Sequence, residues 1–128
     1  MTADTVTPDV AIDRATQRVC FAAPIRPGAT ALDREEMLSC WTGERSEDHA
    51  GSRRRQGITR EAVWIQSTPA GDVAVILLEA RDLPGALLGI ATSTEPFDVW
   101  FRDHLLAVHG MDLSDGMSLP EQVLDFQA

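Results

Sequence analysis

Three histidines, His49, His104 and His109, are the residues of this chain most able to move a proton near neutral pH, because a free imidazole titrates at about 6.5. Their surroundings differ. Leu38, Trp41, Arg45, His49 and Ser52 follow one another at helical spacing, so polar groups stand where an apolar stripe would continue. Two readings fit that pattern. Either a helix outruns its sheet and leaves its second half solvated, or Arg45 and His49 line a cavity between helix and sheet. His104 sits on an apolar stripe between Trp100 and Val108, a place for a hydrogen-bonded core residue or for a general acid or base in a pocket. His109 lies in the last turn before Gly110, where a cation favours the helix dipole.

Other candidates recognise rather than react. Trp41, Trp64, Trp100 and Phe101 offer aromatic surface, either to a flat apolar ligand or to the core. Glu79 stands at the expected rim of the sheet, and Asp98 near a helix N-terminus, where its charge is favourable. No metal site is expected, since the histidines lack HxH and HExxH spacing. His104 and His109, five positions apart on one helix, should point about 140° away from each other. Cys20 and Cys40 have no CxxC partner and read as reduced, packed thiols. The chain contains no lysine, tyrosine or asparagine, which removes Schiff-base chemistry, a P-loop lysine and tyrosine acid catalysis. What these residues suit is proton transfer without a cofactor. One of His49 and His104 would move the proton, Arg45 would stabilise oxyanion charge, and the aromatic walls would restrain the substrate.

Those side chains need a scaffold, and the apolar periodicity predicts one. Residues 1–17 show no sustained period and read as a flexible N-terminal arm, ahead of one domain over residues 18–128. A first strand is expected over residues 18–25. A long helix should follow over residues 30–56, with Thr30 and Asp33 as a capping box and Leu32, Met37, Leu38 and Trp41 facing inward. Gly43 and Gly51 are its weak points, and Gly57 its end. Arg53-Arg54-Arg55 reads as a solvated helix end. Strands over residues 59–67 and 72–80, joined by a turn at Pro69-Ala70-Gly71-Asp72, should form an antiparallel hairpin. Pro84 opens a short helix, Pro96 opens another that Gly110 ends, and residues 121–127 form a fourth strand.

The order β-α-β-β-α-β, with its second helix split, is the ferredoxin-like α+β arrangement: a four-stranded antiparallel sheet with helices on one face. Both faces of its central strands are apolar. Val73, Val75 and Leu77 point one way, and Ala74, Ile76 and Leu78 the other, while Val63 and Ile65 oppose Trp64. A sheet with one wet face would alternate polar and apolar residues, so a second copy is expected to cover the face that the helices leave. With 128 residues, 44% hydrophobic and 24% charged, the chain suits one globular domain. A net charge of -9 argues against nucleic acid or an anionic membrane as partner. No apolar stretch reaches the ~18 residues of a membrane span, and no signal-peptide pattern opens the chain, so a cytoplasmic location is expected.

Within this order, SRRRQGITREAVWIQ over residues 52–66 and PFDVWFRDHLLAVHGMDL over residues 96–113 resemble segments of uncharacterised actinobacterial proteins of the dimeric α+β barrel superfamily. That superfamily includes the antibiotic-biosynthesis monooxygenase type and some polyketide cyclases. The resemblance covers residues 18–128, rests on topology and segment character, and carries over no catalytic residue. It implies a homodimer around a hydrophobic small-molecule ligand. It leaves open a haem held by one histidine, which no spacing here calls for. Together with His49 and His104, it leads to the expectation of a cyclase, isomerase or monooxygenase-like enzyme without cofactor, acting on a hydrophobic metabolite such as an aromatic polyketide. A non-catalytic ligand-binding or protein-interaction module is the alternative.

Overall fold

The computed structural model describes residues 16–128. The arm expected over residues 1–17 lies outside them except for its last two residues, and Gln17 already belongs to the first strand. Strand β1, Gln17–Pro24, turns Val19 and Ala23 toward the core and ends where Pro24 withdraws a ladder donor. Helix α1, Thr30–Trp41, and helix α2, Ser46–Gln56, replace the single long helix. The break falls at Gly43, one of the two expected weak points. There a Cβ would lie 2.8 Å from the Ser39 Cα, so only glycine allows the chain to turn back that closely. Gly51, the other weak point, stays inside α2. Gly57 ends α2 in the left-handed conformation at φ 75, as expected of a C-terminal glycine.

Strands β2, Ile58–Thr68, and β3, Gly71–Ala80, form the expected hairpin. Helix α3, Leu83–Thr92, starts on Asp82, whose side chain accepts from the Gly85 amide, with Pro84 in its first turn. Helix α4, Pro96–His109, ends at Gly110, and a short 3-10 turn follows at Leu113–Asp115. Over the described residues the architecture is α+β, with four helices and a three-stranded antiparallel sheet ordered β1-β3-β2. Among the described residues no helix is long and apolar enough to cross a membrane.

Three expectations fail here. The fourth strand over residues 121–127 does not form. Val123, Leu124 and Phe126 reach no core, so no burial offsets the entropy of ordering a strand. The capping box is absent as well: Thr30 Oγ1 donates instead to Asp72 Oδ2 at 2.6 Å, and Asp33 is buried. Finally, α1 is rotated relative to its apolar stripe. Leu32, Leu38 and Trp41 are exposed, while Asp33 and Cys40 face inward with Glu36 and Met37 beside them. Burial pushes the Cys40 thiol up, which leaves it a packed thiol rather than a nucleophile.

The helix-facing row of β3, Ala74, Ile76, Leu78 and Ala80, carries the core. Ile90 of α3 and Phe101 and Leu105 of α4 close over Leu78. Ile90 is 3% exposed, and its neighbour Leu88 is 63% exposed. Truncating Ile90 to Ala should therefore cost about 2–5 kcal/mol, and Leu88→Ala within about 0.5 kcal/mol. Urea unfolding of both variants reads the difference.

Candidate active site: a polar layer between an inner cavity and an open groove

Charge enters the interior through β2. Glu61 precedes Val63 and Ile65 on the helix-facing row of that strand, so its carboxylate is carried under the helices. Arg53 meets it from α2, with Nε donating to Oε1 at 2.8 Å and Nη2 to Oε2 at 3.2 Å. The guanidinium is 5% exposed as a residue and lies 4.3 Å over the Phe101 ring, a desolvated cation on an aromatic face. Arg53 is therefore no solvated helix end. Of the three consecutive arginines only Arg54 and Arg55 are exposed.

His49, one turn earlier on α2, reaches the same carboxylate, with Nε2 2.7 Å from Glu61 Oε1. Burial disfavours ionised Glu61, yet the hydrogen bond from His49 and the charge of Arg53 outweigh it and hold its pKa at about 2. A carboxylate in that state only accepts, so His49 Nε2–H is the donor. In the neutral ring Nδ1 then carries the lone pair. This is the orienting carboxylate–imidazole arrangement that prepares a histidine to take a proton.

His104 lies deeper. Its Nδ1 is 2.7 Å from Glu36 Oε1 and its Nε2 3.0 Å from Asp33 Oδ1. Burial disfavours its charged form, but the two carboxylates outweigh that and raise the imidazole above its ordinary value. With both nitrogens engaged, His104 is not free to serve a substrate. His109 is not simply a dipole cap either. Its Nδ1 is 2.9 Å from the Pro24 carbonyl oxygen, and its ring stands 6.2 Å from that of His104. The expected 140° divergence fails because tertiary packing, rather than helix pitch, brings the two rings together. Asp33, His104 and His109 together line an inner cavity of about 60 Å³, and among the described residues they bring three donor atoms within 4.8 Å of one another, close enough for a metal ion.

Asp98 closes the layer at the other end of α2. Its side chain is fully buried and accepts from Ser52, from Ser93 at 2.6 Å and from Arg55 at 3.2 Å. Burial works against the ionised form, and those donors still hold the carboxyl below the usual range. Its role exceeds the helix-dipole charge expected of it.

Outside the layer, α1, the start of α2 and the free side of β2 bound an open groove of about 820 Å³. Its walls include Arg34, Leu38, Trp41, His49, Glu61 and Trp64. Met37, Glu61, Val63 and Phe101 line both spaces. The expected constellation is split accordingly. His49, Trp41 and Trp64 reach the groove, with Phe101 at its floor. His104 belongs to the inner cavity. Arg45 does not join them: its guanidinium lies 4.1 Å over the Trp100 ring and donates to Ser39 Oγ. Arg45 is the N-cap residue of α2 and its carbonyl accepts from the His49 amide at 2.9 Å, but its side chain turns to Trp100 and Ser39 instead of the groove. Trp100 packs against Phe97 and His104. Glu79 sits opposite Arg18 and Arg60 on the outer face of the sheet, 3.7 Å from Arg18 Nε.

The residues missed were Asp33, Glu36, Arg53 and Glu61. Three of them left a signal: Glu61 shares a strand row with Val63 and Ile65, and Asp33 and Glu36 share a helical face with Cys40. No family model, curated protein or solved structure matches this chain.

Because Glu61 titrates at about 2 in the fold and near its ordinary value when unfolded, it stabilises the fold fully above the unfolded pKa. That stabilisation is lost as pH falls from about 4.5 toward about 2, and is on the order of 3 kcal/mol. Glu61→Gln, which leaves Arg53 buried without its counter-charge, should be less stable than wild type at pH 7. The gap should narrow across that acid range, as followed by denaturant unfolding at a series of pH values.

Proposed function

We propose that the groove beside β2 binds a hydrophobic small molecule with a polar edge, and that His49 moves a proton on it without a cofactor. The observation that carries this reading is the His49 Nε2–Glu61 Oε1 contact of 2.7 Å in the wall of a groove large enough for such a ligand. In the reaction, Nδ1 of His49 takes a proton from a carbon beside a carbonyl. The electron pair moves onto the carbonyl oxygen, and ionised Glu61 stabilises the imidazolium that forms. Arg34 or Arg60, both in the groove wall, takes the oxyanion role expected of Arg45. Return of the proton to another carbon gives isomerisation; attack of the enolate on a second carbonyl gives cyclisation. Trp41 and Trp64 restrain a flat substrate such as an aromatic polyketide.

The same reading keeps the dimeric α+β barrel resemblance. The order β1-β3-β2 fits three strands of a ferredoxin-like sheet. The outer face carries Ala22, Ala62, Trp64, Val73, Val75 and Leu77, and no described element covers it. Val123, Leu124 and Phe126 of the tail are also exposed, Phe126 by 81%. An apolar face of that kind is a subunit interface, and a second copy stacked on it buries both sheets.

Against a panel of aromatic polyketone substrates, His49→Ala should lower turnover about 100-fold or more, while Arg45→Ala leaves it near wild type. Equal turnover in His49→Ala and wild type would sink the proton-transfer role. Ligand binding without any turnover would favour the non-catalytic binding module. For the interface, sedimentation should give twice the chain mass for wild type and a folded monomer for Leu77→Arg. A wild-type monomer would remove the dimer.

A further inference from the structure

We propose that Asp33, His104 and His109 bind one divalent first-row transition metal ion in the inner cavity, through two imidazole nitrogens and one carboxylate. The site uses none of the groove residues assigned above and stands independently of that reading.

One donor atom from each of the three residues lies within 4.8 Å of the other two. An ion about 2.1 Å from each donor would draw them to no more than about 4.2 Å apart, a contraction that side-chain torsions can supply. Asp33 is 1% exposed, and its Oδ2 has no hydrogen-bond partner among the described residues. A buried carboxylate oxygen left without a donor is a cost that a fold rarely keeps for nothing. Here that oxygen belongs to a residue lining the cavity, where a cation would satisfy it.

Both imidazoles are already held as metal ligands are held. His104 Nδ1 is 2.7 Å from Glu36 Oε1, and His109 Nδ1 is 2.9 Å from the Pro24 carbonyl oxygen. An N–H donated to a carboxylate or a carbonyl fixes the ring and leaves Nε2 for the ion. The His104 Nε2–Asp33 Oδ1 distance of 3.0 Å has the same meaning. Nitrogen and oxygen at that separation share either a proton or a cation. On binding, the Nε2–H bond breaks, the proton leaves to solvent, and the nitrogen lone pair forms the bond to the ion; no redox change is involved.

Charge and room agree with this assignment. Asp33 and Glu36 offset the two charges of the ion, and Arg53, which also faces the cavity, is already paired with Glu61. Three protein donors leave coordination positions open, and about 60 Å³ holds a few waters to fill them. Imidazole donors favour zinc, iron, cobalt or copper over magnesium and calcium, which prefer oxygen.

Zn²⁺ titrated calorimetrically into chelator-treated protein should bind at one ion per chain, releasing close to one proton per ion across buffers of different ionisation enthalpy. Co²⁺ should give d–d absorption bands of a nitrogen–oxygen site. His109→Gln, at a half-buried position, should weaken Zn²⁺ by about 100-fold or more, and Glu36→Gln by about 10–100-fold through loss of orientation. Circular dichroism checks that each variant is folded. His49→Ala should bind Zn²⁺ as wild type does, which separates this site from the groove. Folded wild-type protein that takes up no Zn²⁺ at micromolar concentration overturns the proposal, and so does His109→Gln binding with unchanged affinity.

Discussion

The bidentate pair between Arg53 and Glu61 is the contact on which the helical layer depends. Both groups are removed from water, one on α2 and one on β2. Burying two ions is expensive, and their attraction offsets that cost only if geometry and remaining hydrogen bonds are good. Here they are. Glu61 takes both arms of the guanidinium and the His49 proton, and the guanidinium rests on Phe101. Removing either partner strands a buried charge, which costs about 3–5 kcal/mol. The pair thus ties α2 to the edge of the sheet and fixes where His49 stands.

A second consequence concerns α1. His104 enters the interior on the apolar stripe of α4 and needs partners for two nitrogens. Asp33 and Glu36 supply them, which requires α1 to turn a partly polar face inward. Leu32, Leu38 and Trp41 then face outward, while Cys40 and Met37 stay on the inner side. Leu38 and Trp41, 48% and 78% exposed, become the outer wall of the groove. Burial of one histidine and the exposure of an apolar groove are two sides of a single rotation of α1.

The two spaces follow from that layer. Met37, Glu61, Val63 and Phe101 stand between them, with the small cavity on the His104 side and the larger groove on the Trp41 and Trp64 side. On the cavity side both nitrogens of His104 are bonded to carboxylates, while His49 lines the groove with Nε2 on Glu61. The sheet has a comparable division. Its helix face is filled by Leu78, Ile90, Phe101 and Leu105, and its outer face carries Trp64, Val75 and Leu77 beside the charged group of Arg18, Arg60 and Glu79.

Element positions were largely legible in the chain, because local chemistry decides them. Gly57 and Gly110 end helices in the left-handed region that glycine enters freely. Pro84 and Pro96 open helices, and alternating apolar residues mark β2 and β3. The β2–β3 hairpin was readable for the same reason, whereas the fourth strand did not form and Gly43 was one of two weak points expected in a single long helix. The partners of buried charges were not readable. Which face of α1 turns inward, whether Arg53 is solvated, whether Arg45 stays in line with His49, and whether His104 and His109 meet all depend on groups distant in sequence. Periodicity assigns a residue to a face of its own element, and it carries no information about which charge on another element that face will meet. Only the tertiary structure decides that, because a charge under the helices is tolerated only where a counter-charge arrives at hydrogen-bond distance.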